Sequence, residues 1–194
     1  MEEIFSGRSK LVASPTIALQ EKLWQTLRLR LERLIGEGIL RSNSILFVDG
    51  FLEEHVLMRL IASSDFYIST SFAEGFNMPV VEAMTRGSIV ISPMHTAMVD
   101  YLTPDNCIPC NFHLVEVDGE EVTGYPIGRV NRCVASVDDI VEALRRSATM
   151  TPDQLDRKRE LARSAVVGKY DVTGTAQAMM KRIEEISVHA ANFG

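Results

Sequence analysis

The sequence predicts an α/β fold, a doubly wound parallel sheet with helices on both faces. Three observations carry that reading. Short apolar runs rich in β-branched and aromatic residues alternate with longer amphipathic segments. The stretch from Asp65 to Asp100 reads as strand, loop, helix, strand and loop, which is a βαβ unit with parallel strands. The chain has 194 residues, 46% apolar and 24% charged, enough for one domain with a good core.

The βαβ unit organises the chain. Residues 66–70 form its first strand and residues 71–77 a loop with a carboxylate and a glycine. Pro79 suits a first helical position, where its missing N–H would have no partner. Asn77 or Met78 is the cap, and Asn77 has the better chemistry for it. Gly87 stops the helix and residues 89–92 form the second strand.

Two glutamates stand eight residues apart, Glu74 in the loop and Glu82 one turn into the helix. Glu82 lies among Val80, Val81, Ala83 and Met84, where burying a carboxylate is unfavourable unless something donates to it. Ligands bind at the carboxyl edge of an open α/β sheet, and a helix start offers free N–H groups and partial positive charge. A diphosphate on the helix start and hydroxyl groups on the glutamates fit this arrangement. The residues alone also allow a plainer reading. Glu82 is then a surface residue, Glu74 an ordinary loop carboxylate, Gly75 a turn former and Phe76 a packing residue.

The rest of the chain follows the same alternation. Residues 11–14 read as a short strand. Residues 18–36 are the clearest helix, with Leu19, Leu23, Trp24, Leu27, Leu31, Leu34 and Ile35 on one stripe read as core. Residues 45–48 form a strand ending at Asp49-Gly50, and residues 53–62 a second amphipathic helix. A short strand is expected near residues 107–111. Residues 112–132 read as a hairpin insertion, with strands at 114–117 and 121–123 and its turn at Asp118-Gly119. Ser136 and Thr151 cap helices over about 137–147 and 151–167. The last helix is expected over 175–188.

Composition excludes several classes. A net charge of −6 without a basic stripe argues against a nucleic-acid partner. No apolar run is long enough for a transmembrane segment, and MEEIFSGRSK lacks the apolar core of a signal peptide. Three cysteines point to a reducing compartment, so the cytoplasm is the expectation, with the inner membrane face as a peripheral alternative. No Gly-x-Gly-x-x-Gly follows a strand, which disfavours a classical NAD-binding domain. Cys107-x-x-Cys110-x-x-His113, with Cys133, offers zinc-type ligands, but the doubled Cys-x-x-Cys spacing is absent. Partly buried free thiols are the reading adopted, and no metal is assigned.

Ser71-x-x-Glu74-Gly75-Phe76, then Pro79 and Glu82, resembles the E-x7-E signature of retaining GT-B glycosyltransferases, which include sucrose and glycogen synthases and bacterial polysaccharide enzymes. Val48-Asp49-Gly50-Phe51 resembles that family's F-x-G-x turn, and Ser64-Asp65 after a helix resembles its A-A-D segment. The similarity runs from about Lys10 to Cys110. The sequence departs from the pattern at Asn77, where the family has Gly, and at Thr70 and Ile89, where it has Pro. His95-Thr96-Ala97-Met98 replaces a glycine-rich loop, and Asp100 stands where Glu is common.

The resemblance implies a Rossmann-like domain, the C-terminal, nucleotide-sugar-binding half of a GT-B enzyme. The family's first strand and its Arg/Lys loop find no counterpart, so the chain is read as a fragment or as lacking that element. The whole enzyme would transfer a sugar from an NDP-sugar to an acceptor hydroxyl with retention, the acceptor being held by a separate N-terminal domain. No cofactor is implied, since the NDP-sugar is the substrate. The implied donor-binding residues are Glu74, Gly75, Phe76, Asn77, Met78 and Glu82, with Ser71, Gly50, His95 and Thr96 as further candidates. No catalytic nucleophile is named. A binding module without turnover and a degenerate scaffold are the alternatives.

Overall fold

The computed structural model describes residues 19–38, 48, 52–120 and 127–191. Of the sequence expectations, the strand at 11–14, the turn at Gly50 and all of the strand at 45–48 but Val48 lie outside the described residues. The chain divides into two compact units, Met1–Leu57 and Met58–Gly194.

In the first unit, α1 (Leu19–Gly36) is the expected helix. Leu19, Leu23 and Trp24 lie outside the residues whose side chains are described, and the rest of its stripe is less buried than expected. Leu31, Leu34 and Ile35 are half-buried and Leu27 is 39% exposed, so none of these four is core in the strict sense. Arg28, Arg30, Glu32 and Arg33 are exposed, and Arg33 pairs with Glu37 at 2.8 Å. Such an exposed i,i+4 pair contributes only about 0.3–0.5 kcal/mol. α2 (Glu54–Ala62), whose residues from Met58 on belong to the second unit, opens with Glu54, which suits the positive end of the helix dipole.

The second unit is built on a parallel sheet. β1 (Phe66–Ile68), β2 (Ile89–Ser92) and β3 (Ile108–Pro109) lie in the order β1-β2-β3, with Phe66 opposite Ile89 and Ile91 opposite Ile108. α3 (Met78–Arg86) connects β1 to β2. All of β2 is buried. Ile89 and Ile91 join Ile108, Cys110 and Ala143 in one cluster. Val90 and Ser92 point to the opposite face and are as deeply buried, so β2 is covered on both sides. This is why Ile89, Val90 and Ile91 run apolar in succession rather than alternating.

Local chemistry explains the element ends. Gly87 closes α3 at φ 88°, where its N–H donates to the carbonyls of Ala83 and Met84. Ser88 then fastens the start of β2, its hydroxyl bonding the carbonyls of Ile61 and Ser64 at 2.7 and 2.9 Å. α4 (Val137–Ala148) begins with a reciprocal Ser136–Asp139 capping box, and α5 (Pro152–Val166) with a Thr151–Gln154 box. α5 packs on α3 and on β2. α6 (Val172–Ala191) starts earlier than expected and carries an exposed apolar set, Met179, Met180, Ile183 and Ile186.

The hairpin exists, but its return strand is not the expected one. β4 (His113–Asp118) pairs antiparallel with β5 (Arg129–Val134), so the pairing extends two residues past 132. Gly119 N–H donates to the Gly128 carbonyl at 2.7 Å and closes the ladder. The expected strand at 121–123 lies outside the described residues. Asp118-Gly119 is a strong local turn signal, but cross-strand partners decide register. The observed register sets Val117 against Val130 and brings Arg129 to Glu116 at 2.6 Å.

Candidate functional site

Two loops leave the carboxyl edge of the sheet side by side. The one after β1 carries Ser71 to Asn77, and the one after β2 carries His95 and Thr96. A short 3-10 turn, Thr96–Asp100, follows. Side-chain hydrogen bonds tie the loops together. The Glu74 N–H donates to Thr96 Oγ1 at 3.2 Å. Thr96 Oγ1 lies 3.1 Å from His95 Nδ1, and His95 Nε2 lies 2.9 Å from the Ser71 carbonyl. A carbonyl only accepts, so Nε2 carries the proton. In the neutral ring Nδ1 then accepts from the Thr96 hydroxyl. The donors run in one direction, from Glu74 through Thr96 and His95 to Ser71.

Thr96 holds an unusual backbone conformation, φ 46°. A β-branched residue in the left-handed region carries about 1–3 kcal/mol of strain. Among the described residues Asn77 is the other non-glycine residue at positive φ, 66°, and it is buried. It stands at the N-cap of α3, but its side chain does not cap the helix, which corrects the sequence expectation. Its Nδ2 turns inward instead, 3.1 Å from Ser69 Oγ, 3.4 Å from Ser71 Oγ and 3.4 Å from Met98 Sδ. The left-handed backbone aims the side chain away from the helix amides. Its side chain therefore makes no cap bond at the start of α3.

Phe76 is anchored from behind. The Tyr101 hydroxyl donates to its carbonyl at 2.5 Å. The rings of Phe76, Tyr101 and Tyr170 form a triangle with centroids 5.2 to 6.0 Å apart, in tilted and edge-on arrangements. Burial raises the Tyr101 phenol, with the Glu74 carboxylate adding to the effect. Burial likewise raises the Tyr67 phenol, followed by Glu82 and then Glu74. Both glutamates therefore lie within electrostatic reach of one side chain on β1. Both are half-buried, and neither carboxylate has a hydrogen-bond or ion-pair partner among the described residues.

The hairpin borders the same loop. The Cys133 N–H donates to the Phe72 carbonyl at 2.8 Å, and the Arg132 guanidinium stacks 4.4 Å over the Phe72 ring. Arg132 Nε is buried with no hydrogen-bond partner. Phe112 packs on His95, with ring centroids 5.9 Å apart. Of the sequence candidates, Ser71, Glu74, Asn77, His95 and Thr96 are joined by this network, while Phe76 is joined through Tyr101. Gly75 and Met78 are exposed, and Glu82 enters through its reach to Tyr67. Tyr67, Tyr101 and Arg132 were not read from the sequence. Tyr101 and Arg132 contact residues 25 and 60 positions away, beyond any local pattern, and only the aromatic character of Tyr67 in a strand was visible.

The three cysteines are free and buried, as read from the sequence. Burial pushes the Cys107 thiol up to about 12, against the opposing pull of Lys158 and Arg146. It pushes Cys133 up to about 11, helped by nearby Cys110. His113 is exposed, and no three His, Cys, Asp or Glu among the described residues stand together as a metal site.

No protein-family model matches the chain. The MMP alpha-(1->4)-mannosyltransferase of Mycolicibacterium hassiacum is 30% identical over 99 residues, 51% of this chain. A trehalose-6-phosphate protein from E. coli bound with UDP-2-fluoro glucose superposes with a TM-score of 0.63 at 16% identity, over 90% of this chain. The C-terminal domain of the glycosyl transferase group 1 family protein LpcC from Francisella tularensis superposes with a TM-score of 0.53 at 18% identity, over 76% of this chain. The chain spans 23% of the mannosyltransferase and 35% and 64% of the two solved chains. The chain thus has an α/β fold, that of the C-terminal domain of GT-B glycosyltransferases.

Proposed function

We propose that the chain is the donor-binding domain of a retaining glycosyltransferase, taking a sugar from a nucleoside-diphosphate sugar to an acceptor hydroxyl. The observation that supports it best is the pair Glu74 and Glu82. They are half-buried carboxylates without partners among the described residues, eight residues apart and both within electrostatic reach of Tyr67, beside a helix start that the Asn77 side chain does not cap. Unpaired carboxylates at a sheet's carboxyl edge suit the hydroxyl groups of a ribose and a hexose, and the amides of α3 suit a diphosphate. In this reading Glu82 accepts from the ribose and Glu74 from the sugar. Gly75, Phe76, Asn77 and Met78 supply backbone to the donor between them. The departing diphosphate is stabilised by fixed dipoles and cations rather than by a metal. Cations from outside the loop are needed for that step, since the loop itself carries none.

The whole reaction is assigned to a larger assembly, because the acceptor is held by a separate domain in this reading. The 194-residue chain by itself is expected to bind a donor and not to transfer its sugar. A ligand-detected NMR screen of UDP-, GDP-, dTDP- and ADP-sugars tests the binding half. Saturable binding of one of them is expected. No binding by any would leave the scaffold reading.

A further inference from the structure

We propose that Thr96 is a positioning residue for the donor sugar, acting through Glu74. The inference rests on the donor-binding reading above. Glu74 lies in the loop after β1, and its carboxylate has no partner among the described residues. Its range of positions therefore depends on where its backbone is held, and among the described residues the Glu74 N–H donates to the Thr96 Oγ1.

The Thr96 hydroxyl is itself fixed. It accepts from Glu74 and donates to His95 Nδ1, and His95 is buried with Nε2 on the Ser71 carbonyl. The network thus clasps the loop at residues 71 and 74 from a second loop that follows a fully buried strand. A hydroxyl both accepts and donates through one atom, as this position requires. A methyl in its place breaks both links, and a glycine supplies neither. Thr96 meets this demand in a left-handed backbone, φ 46°, that glycine would adopt without strain. The conformation places the hydroxyl at the cost of intrinsic preference, which marks the side chain rather than the backbone as what the position requires.

Three variants of the full chain separate this from a merely structural role. Thr96→Val keeps the β-branched shape and loses the hydroxyl, Thr96→Ser keeps the hydroxyl on a smaller side chain, and Thr96→Gly removes both strain and hydroxyl. Hydrogen exchange read by NMR at the Glu74 amide needs no ligand. Exchange should accelerate at least about tenfold in the Val and Gly variants and stay near wild type in Ser. Calorimetry then compares the nucleotide sugar that wild type binds best, from the UDP-, GDP-, dTDP- and ADP-sugar panel, with its free diphosphate. Val and Gly should lose about three- to tenfold in affinity for the sugar nucleotide, as one lost hydrogen bond would give, with the diphosphate unchanged. Ser should restore the sugar nucleotide.

Equal losses for both ligands, or no loss beside accelerated exchange, would overturn the role of Thr96 and leave the donor-binding reading standing. Unchanged exchange at Glu74 in the Val and Gly variants would overturn the clasp itself. Wild type binding no member of the panel would overturn the reading and this inference together.

Discussion

Asn77 shows how one residue's backbone redirects its side chain. An asparagine before a helix is ordinarily a cap, and the one sign of another role is that the resembling family has Gly at this position. Its φ of 66° turns the amide to Ser69, Ser71 and Met98 instead. Two losses follow from Asn77→Ala, the left-handed backbone becoming strained and the hydrogen bonds disappearing. We expect about 2–4 kcal/mol of destabilisation. Asn77→Gly loses only the bonds, so it should be milder by about 1 kcal/mol although it removes more atoms. Urea unfolding of the two variants checks the order, and the reverse order would contradict the left-handed assignment. The glutamates were legible because a carboxylate among valines stands out. Thr96 and His95 were legible as candidates by position only. Their hydrogen-bond direction depends on a ring tautomer and a strained φ that no sequence displays. The cysteines were readable as buried thiols, and their raised values carry a consequence. With Cys107 near 12 and Cys133 near 11, thiolates are scarce at neutral pH. A maleimide or disulfide reagent at pH 7.5 should modify the folded chain at least about tenfold more slowly than the denatured chain.

Among the elements, helix ends were the most legible part because their signals are local. Ser136, Thr151, Pro152 and Gly87 each stand where the sequence puts them. Gly87→Ala should destabilise the chain by about 1–2 kcal/mol. The cause is the φ of 88°, since an added Cβ would meet no atom within 4 Å. Thr151→Ala should remove about 1 kcal/mol of capping. Thermal unfolding reads both, at about 2–4 °C for each kcal/mol in a chain of this size. The Ser136 box has a pH signature. The Ser136 hydroxyl, then its backbone N–H, hold the Asp139 carboxyl below its ordinary value. The folded value is lower than the unfolded one, so the stabilisation is present above about pH 4 and lost as pH falls through the folded value. Ser136→Ala should flatten the dependence of the melting temperature on pH below about 4. An unchanged slope would contradict the box. The hairpin was less legible. Its existence was visible as two runs around a turn, but its register depends on Val117 meeting Val130 and Glu116 meeting Arg129. Those pairs span 13 residues, and the nearer Asp118-Gly119 signal outweighed them in the sequence.

At the scale of the molecule, the parallel sheet follows from the alternation of apolar strands and amphipathic helices, and the order β1-β2-β3 keeps successive strands adjacent. What the sequence did not display is how loops far apart in the chain meet at the sheet edge. Ser71 meets His95 across 24 residues and Phe72 meets Cys133 across 61. The donor-binding reading lives at that edge, and it is tested most directly by isothermal calorimetry with wild type, Glu82→Gln and Glu74→Gln. Each is titrated with the best sugar nucleotide of the panel and with its free diphosphate. A charge-assisted hydrogen bond contributes roughly 1.5–3 kcal/mol, about tenfold or more in affinity. The account expects Glu82→Gln to weaken both ligands by that factor and Glu74→Gln to weaken only the sugar nucleotide. Equal affinities of wild type and Glu82→Gln for both ligands would contradict it.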